Sequence, residues 1–226
     1  SAASDVYKRQ DKDAAVMKDI LDGPRRANGE QMWYGFRPGV QNWQCVIPIG
    51  TYYYPLFGHR IKPFALGPIY IRWITNHPKD NFKQMTRQQY ETLYDTGLEK
   101  FSDNLGDNPA IDAFVERGGK LMIDHGIDDP LIPVDGTLDY LQKVKEHFGG
   151  WKALDKFLRV YITPGDNHGN CQGNGPGLTE SDGMRALMAW VEDGCVPEEM
   201  RKVRVDRKTG ETLEEGMEAP FRLEDE

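Results

Sequence analysis

"GGKLMIDHGIDDPLIP", residues 118–133, carries the first clear architectural signal in the chain. A double glycine releases the compact apolar run Leu121-Met122-Ile123, and a loop rich in aspartate and proline ends it. Such a run is expected for a strand buried on both faces of a parallel sheet. "TLDYLQKVKEHFGG", residues 137–150, follows with Leu138, Leu141, Val144 and Phe148 along one side and a glycine stop, the pattern of an amphipathic helix. "DKFLRVYITPG", residues 155–165, is again strand-like, and "TESDGMRALMAWVEDG", residues 179–194, is again a helix, opened by Thr179 with Asp182 three residues on and closed by Gly194. Strand, helix, strand, helix predicts parallel strands joined by right-handed crossovers, with the consequential loops at the carboxyl ends of the strands.

The flanks are less regular. Residues 13–22 predict a short helix with Val16 and Ile20 on one face, stopped by Gly23-Pro24, and a second helix is expected from Thr86 through "RQQYETLYDTG". Between them, from Gly29 to about Pro78, glycine, proline and aromatic residues occur without a sustained period. This stretch reads as an irregular, partly buried insertion, either a large-residue core beneath long loops or an aromatic wall of a substrate pocket. "VRVDRKTGETL", residues 203–213, predicts a hairpin turning at Lys208-Thr209-Gly210, followed by a mobile acidic tail.

Composition narrows the function. The 226 residues are 38% apolar, enough for a substantial core, and carry a net charge of −8. The basic residues are scattered, which disfavours nucleic acid and anionic membranes as partners, and no run approaches the roughly 18 apolar residues of a membrane helix. Three cysteines, Cys45, Cys171 and Cys195, are too few for a disulfide framework and lack zinc-site spacing.

The chemistry concentrates in two loops, "DHGIDDPLIP" and "TPGDNHGNCQGNGPG" (163–177), which leave the two strands at the same edge of the sheet. An aspartate from the first and His168 from the second would form two-thirds of a triad. The carboxylate fixes the imidazole tautomer, so that the other ring nitrogen can take a proton from a serine and return it to a leaving group. On chemistry alone Asp128 and Asp129 are equal candidates. The expected serine on a Gly-x-Ser-x-Gly elbow is missing: Ser1, Ser4, Ser102 and Ser181 are the only serines, and none lies in such a motif. His125 reads as a packed histidine at a strand end. "GNGPG" lacks the Lys and Ser/Thr of a phosphate loop, and reading "HGIDD" with "DNHG" as metal ligands lacks an established geometry.

"FVERGGKLMIDHGIDDPLIP", "FLRVYITPGDNHGNCQGNGPG" and "ALMAWVEDGCVPEE" together resemble the final third of the tannase and feruloyl esterase family, serine hydrolases of aromatic carboxylic esters. "VMKDILDGPRRANGEQMWYGFRPGV" is similar to the end of that family's lid insertion. The resemblance implies an α/β-hydrolase fold, with the C-terminal part of the core and part of an inserted lid. Residues 11–110 would be the end of the lid and the return to the core, 111–200 the C-terminal part of the core, and 201–226 the hairpin and acidic tail. Carried over by position, Asp129 matches the triad acid and His168 the triad base, with no nucleophile in this chain. The family's cysteine beside the histidine pairs with a residue preceding the serine; here Gly169 and Asn170 intervene before Cys171, whose disulfide partner would lie upstream.

The resemblance further implies a small aromatic ester as substrate, no cofactor in this chain, calcium in the lid portion upstream, and a secreted or periplasmic location. It assigns no oligomeric state. The first ten residues, "SAASDVYKRQ", resemble a translated library-adapter tract and are set aside, so that the native protein is expected to begin further upstream and this chain to be inactive alone. A non-catalytic binding protein on a hydrolase scaffold, or a peptidase, are the alternatives.

Overall fold

The computed structural model describes residues 11–40, 50–54, 58–62, 66–76, 84–104, 106–169, 171 and 173–223. They fall into two compact units, one within 1–36 and 43–105, the other comprising 37–42 and 106–226.

In the first unit, helix α1 (Asp11–Asp22) ends at Gly23 as expected. Strands β1 (Gly50–Tyr54) and β2 (Gly58–Lys62) pair antiparallel, and α2 spans Leu66–Thr75. These elements correct the expectation of an irregular stretch from 29 to 78. Pro68 sits in the first turn of α2, where a missing N–H costs nothing and a fixed φ suits the helix. The hairpin escaped notice because three consecutive tyrosines obscure its alternation. Its turn, 55–57, lies outside the described residues, as do the side chains of those tyrosines, Cys45 and His77. Of the aromatics that can be placed, Trp33 and Trp73 are exposed.

Helix α3 (Arg87–Phe101) opens on a capping box in which Thr86 Oγ1 accepts from the Gln89 amide and Gln89 Oε1 accepts from the Thr86 amide. Glu91 and Asp95, four residues apart on one side of α3, grip the turn after α1. Glu91 accepts from the Ala27 amide and Asp95 takes both guanidinium nitrogens of Arg26.

The second unit holds α4 (Asp112–Glu116), β3 (Leu121–Gly126), α5 (Val134–Phe148), the single turn α6 (Trp151–Leu154), β4 (Leu158–Thr163), the short β5 (Gly177–Leu178), α7 (Glu180–Asp193), β6 (Met200–Val205) and β7 (Thr212–Glu218). β3 and β4 are parallel, in register from Leu121↔Leu158 to Gly126↔Thr163. α5 lays Val134, Leu138, Leu141, Val144 and Phe148 against one face of this pair, where Leu158, Val160 and Ile162 alternate toward it. On the other face Tyr161 packs with Leu178, Met200 and Met122. β4 is therefore buried at every residue. β3 is not: four of its residues are half-buried and Asp124 is exposed, because among the described residues β3 has a sheet neighbour on one edge only.

α7 opens with Thr179 Oγ1 accepting from the Asp182 amide and closes at Gly194 in the left-handed conformation. It buries Trp190, whose ring the cations of Lys120 and Arg159 each approach at 5.3 Å. β6 and β7 form the expected hairpin, its turn held by Asp206 accepting from the Lys208 and Thr209 amides.

The tail beyond the hairpin is docked as far as it is described, contrary to the expectation of a mobile end. The Phe221 amide donates to Val160 O on the edge of β4 away from β3, Trp151 Nε1 donates to Leu223 O, and both tail side chains join the α5 core. The charge run in "LEDE" masked two apolar anchors. Two substitutions test this packing by urea unfolding. Leu141→Ala, at a fully buried site, should cost about 2–5 kcal/mol, and Trp151→Phe, which removes the tail hydrogen bond together with part of the ring's packing, about 1–2 kcal/mol. A negligible effect of the second would mean that the tail docks by its apolar contacts alone.

Candidate active site

The register of β3 and β4 puts Gly126 beside Thr163, so both loops leave at the same level. The ladder continues one step further through the Ile127 amide to Thr163 O, and then the Asp128 amide donates to Asp166 O at 3.0 Å, tying the first loop to the second. Any Cβ at Gly126 would overlap the carbonyls of Asp166 and Asn167, so this crossing requires glycine.

Beyond the crossing, Asp129 turns its carboxylate inward. Oδ1 accepts the amides of Leu131 at 2.7 Å and Ile132 at 3.0 Å, an Asx-type turn around Pro130. Oδ2 accepts from His168 Nδ1 at 2.8 Å. The Asp129 side chain is 6% exposed and that of His168 47%. Three hydrogen bonds thus satisfy a buried carboxylate, and the imidazole it holds remains open to solvent. Because a carboxylate only accepts, the proton lies on Nδ1 and the Nε2 lone pair is available. Nε2 has no partner among the described residues, and His168 lines a cavity of about 200 Å³ with Asp124, Asp129, Ile132 and Asn167.

The neighbouring Asp128 plays a different part. It is buried under Gly39, with its carboxyl raised above the usual range by burial and held back by the Asn174 amide. The chemical equivalence of the two aspartates is therefore broken by position: His168 meets Asp129.

His125 is engaged at both ring nitrogens, by Thr137 and by the Ile132 carbonyl. Cys171 is a buried free thiol facing the carbonyls of Gly177 and Leu178. Burial, then the charges of Asp166 and Asp124, push it up to about 11, which leaves it a thiol and a poor nucleophile at neutral pH. Among the described residues Cys171 makes no disulfide, and the partner that the family resemblance implies would lie upstream of this chain. Ser181 lies in the first turn of α7 and Ser102 caps the end of α3, where it bonds Glu99 O. No hydroxyl or thiol among the described residues bonds to His168. Among those residues, too, no group of three or more His, Cys, Asp or Glu side chains is arranged to hold a metal ion.

Sequence reasoning missed Asp166. It is fully buried, and neither carboxylate oxygen makes a hydrogen bond; the amides of Asn167 and Cys171 face it and only moderate its shift. Burial pushes its carboxyl up to about 6. A Cβ at Gly177 would overlap this carboxyl, so the glycines around His168 make room for a buried acid. The Asp124 carboxyl, on the β3 face that carries Asp166, is pushed up to about 7 by desolvation, then by the charges of Asp166 and Glu218.

The profile described as "Tannase and feruloyl esterase" matches residues 9–217. The chain belongs to this esterase family. It is 28% identical over 209 residues to a probable feruloyl esterase of Arthroderma benhamiae, covering 88% of this chain and 37% of that protein. It is 31% identical over 199 residues to a tannase of Aspergillus oryzae, covering 81% and 33%. Among solved structures, tannin acyl hydrolase from Aspergillus niger superposes with a TM-score of 0.74 at 22% identity, over 93% of this chain and 39% of that one. The fold is accordingly that of the α/β-hydrolases, and the chain spans about a third of the length of the curated relatives it matches.

Asp166 yields a test of the loop's electrostatics. A carboxyl raised in the folded state holds its proton more tightly than in the unfolded chain. Its contribution to stability is therefore complete below about pH 4 and is lost as pH rises through about 6. Asp166→Asn, neutral throughout, should flatten the fall in unfolding free energy between about pH 4 and pH 6, by an amount on the order of 2 kcal/mol. Parallel pH profiles for the two proteins would show that Asp166 ionises without penalty.

Proposed function

We propose that the Asp129–His168 pair is the acid and base of a serine-type carboxylic ester hydrolase acting on aromatic, feruloyl- or galloyl-type esters. The observation that carries this reading is the 2.8 Å bond from His168 Nδ1 to a buried, amide-anchored carboxylate, with the opposite ring nitrogen left available. Family membership and relatives named feruloyl esterase and tannase support the substrate class.

In this mechanism a serine hydroxyl attacks the ester carbonyl while His168 Nε2 takes its proton. Collapse of the tetrahedral intermediate breaks the bond to the alcohol, which leaves with the proton from Nε2. Water, deprotonated by the same nitrogen, then attacks the acyl-enzyme and releases the carboxylic acid and the free serine. Asp129 stays ionised throughout, holding the tautomer and stabilising the imidazolium. The serine and the oxyanion donors are supplied by the part of the family fold that this chain does not span, so the 226 residues alone are inactive. A secreted or periplasmic location belongs to the same proposal, on the family resemblance.

Hydrolysis of methyl ferulate and methyl gallate tests the proposal. The isolated chain should show no turnover. In the product of the extended reading frame, His168→Ala and Asp129→Asn should each lower kcat/KM by about 10²-fold or more, with the substrate KM changed far less. Ester hydrolysis by the isolated chain that His168→Ala abolishes would overturn the missing nucleophile. An extended protein that binds these esters without turnover would favour a binding protein on the hydrolase scaffold, and preference for amide over ester substrates would favour a peptidase.

A further inference from the structure

We propose that His125 is a positioning residue for the Asp129–His168 pair, an inference that rests on the catalytic reading of that pair. Its side chain is 9% exposed and is held at both nitrogens. Nε2 lies 3.0 Å from Ile132 O, which can only accept, so the proton is on Nε2. Nδ1, 2.7 Å from Thr137 Oγ1, then accepts from that hydroxyl in the neutral ring. The imidazole joins three pieces of chain: the end of β3, the turn at 129–132 and the first turn of α5.

The turn it grips is the one that holds Asp129. Ile132 receives the His125 proton at its carbonyl and gives its own amide proton to Asp129 Oδ1, so a shift of this residue would move the carboxylate with it. His125 also stands beside the other carboxylate oxygen. Nε2 is 3.7 Å from Asp129 Oδ2, too far for a hydrogen bond, while His168 Nδ1 is 2.8 Å from the same atom. With its proton committed to Ile132, His125 walls one side of Oδ2 without competing for it, which leaves that oxygen to His168. A purely packed histidine would need neither the tautomer nor this connection to the carboxylate's own anchor.

The test uses proton NMR of the 226-residue chain and reads the hydrogen-bonded Nδ1 proton of His168, assigned by its loss in His168→Ala. Asp129→Ala should abolish this resonance. His125→Phe, which fills the space without a donor, should broaden it or accelerate its exchange with water several-fold. His125→Gln, whose side-chain amide can reach the Ile132 carbonyl, should restore it even where the thermal stability lost in the Phe variant is not recovered.

A sharp, slowly exchanging proton in folded His125→Phe would overturn the proposal, as would a Gln variant that folds and loses the proton as the Phe variant does. Should the Phe variant not fold, Thr137→Val removes only the hydroxyl partner of Nδ1. Faster exchange there supports the positioning role, and unchanged exchange overturns it. Failure of the underlying pair has a separate signature: the resonance would be missing from the unsubstituted chain or indifferent to Asp129→Ala.

Discussion

The hydrogen bond from the Asp128 amide to the Asp166 carbonyl is the constraint on which the site depends. β3 and β4 run parallel with Gly126 against Thr163, and that register alone brings two loops to one level of the sheet. It does not set the direction that each loop takes beyond the sheet. The crossing bond does, because it joins the residue before Asp129 to the residue two before His168. With this link made, a side chain of each loop reaches the other at 2.8 Å. Remove it, and the two would be independent surface loops, each with its own conformational entropy to lose before the pair could form.

Charge in the site is arranged around this crossing. The carboxylate that meets His168 is compensated by two amides and an imidazole N–H, and it can remain ionised while nine-tenths buried. Asp166, two residues before His168, has no such partners and favours its neutral form. One loop thus keeps a charge by hydrogen bonding, and the other hides an acid by protonation. Two buried carboxylates so close together could not both ionise cheaply, and the division leaves the negative charge where the imidazole can use it. Cys171, raised by burial and by its acidic neighbours, is kept out of the nucleophile's role by the same surroundings.

Much of this was legible in the chain itself. The apolar run of β3, the glycine-stopped α5, and the Thr179 cap with its glycine exit announced a parallel α/β unit, because local propensity and burial agree there. Asp129 and His168 followed from loop placement, although the choice between Asp128 and Asp129 needed family spacing and then geometry. What was illegible depends on contacts distant in sequence. α2 hid behind a proline that is harmless only at a helix start, the β1–β2 hairpin behind a run of tyrosines, and the docked tail behind its acidic residues. Asp166 looked like a loop residue because nothing local reveals that Gly126 and Gly177 close over it. His125 read as packing because its two partners lie seven and twelve residues away, on a turn and a helix that only the fold brings back to it.

A catalytic His168 requires a serine to serve, and reading the source DNA in frame upstream of residue 11 looks for it. The expected result is an open frame that continues upstream to a strand followed by a Gly-x-Ser-x-Gly elbow and a helix, completing the order serine, aspartate, histidine. An upstream frame that reaches the corresponding strand-to-helix turn with no serine, cysteine or threonine on it would contradict the account and leave the Asp129–His168 pair as a structural contact.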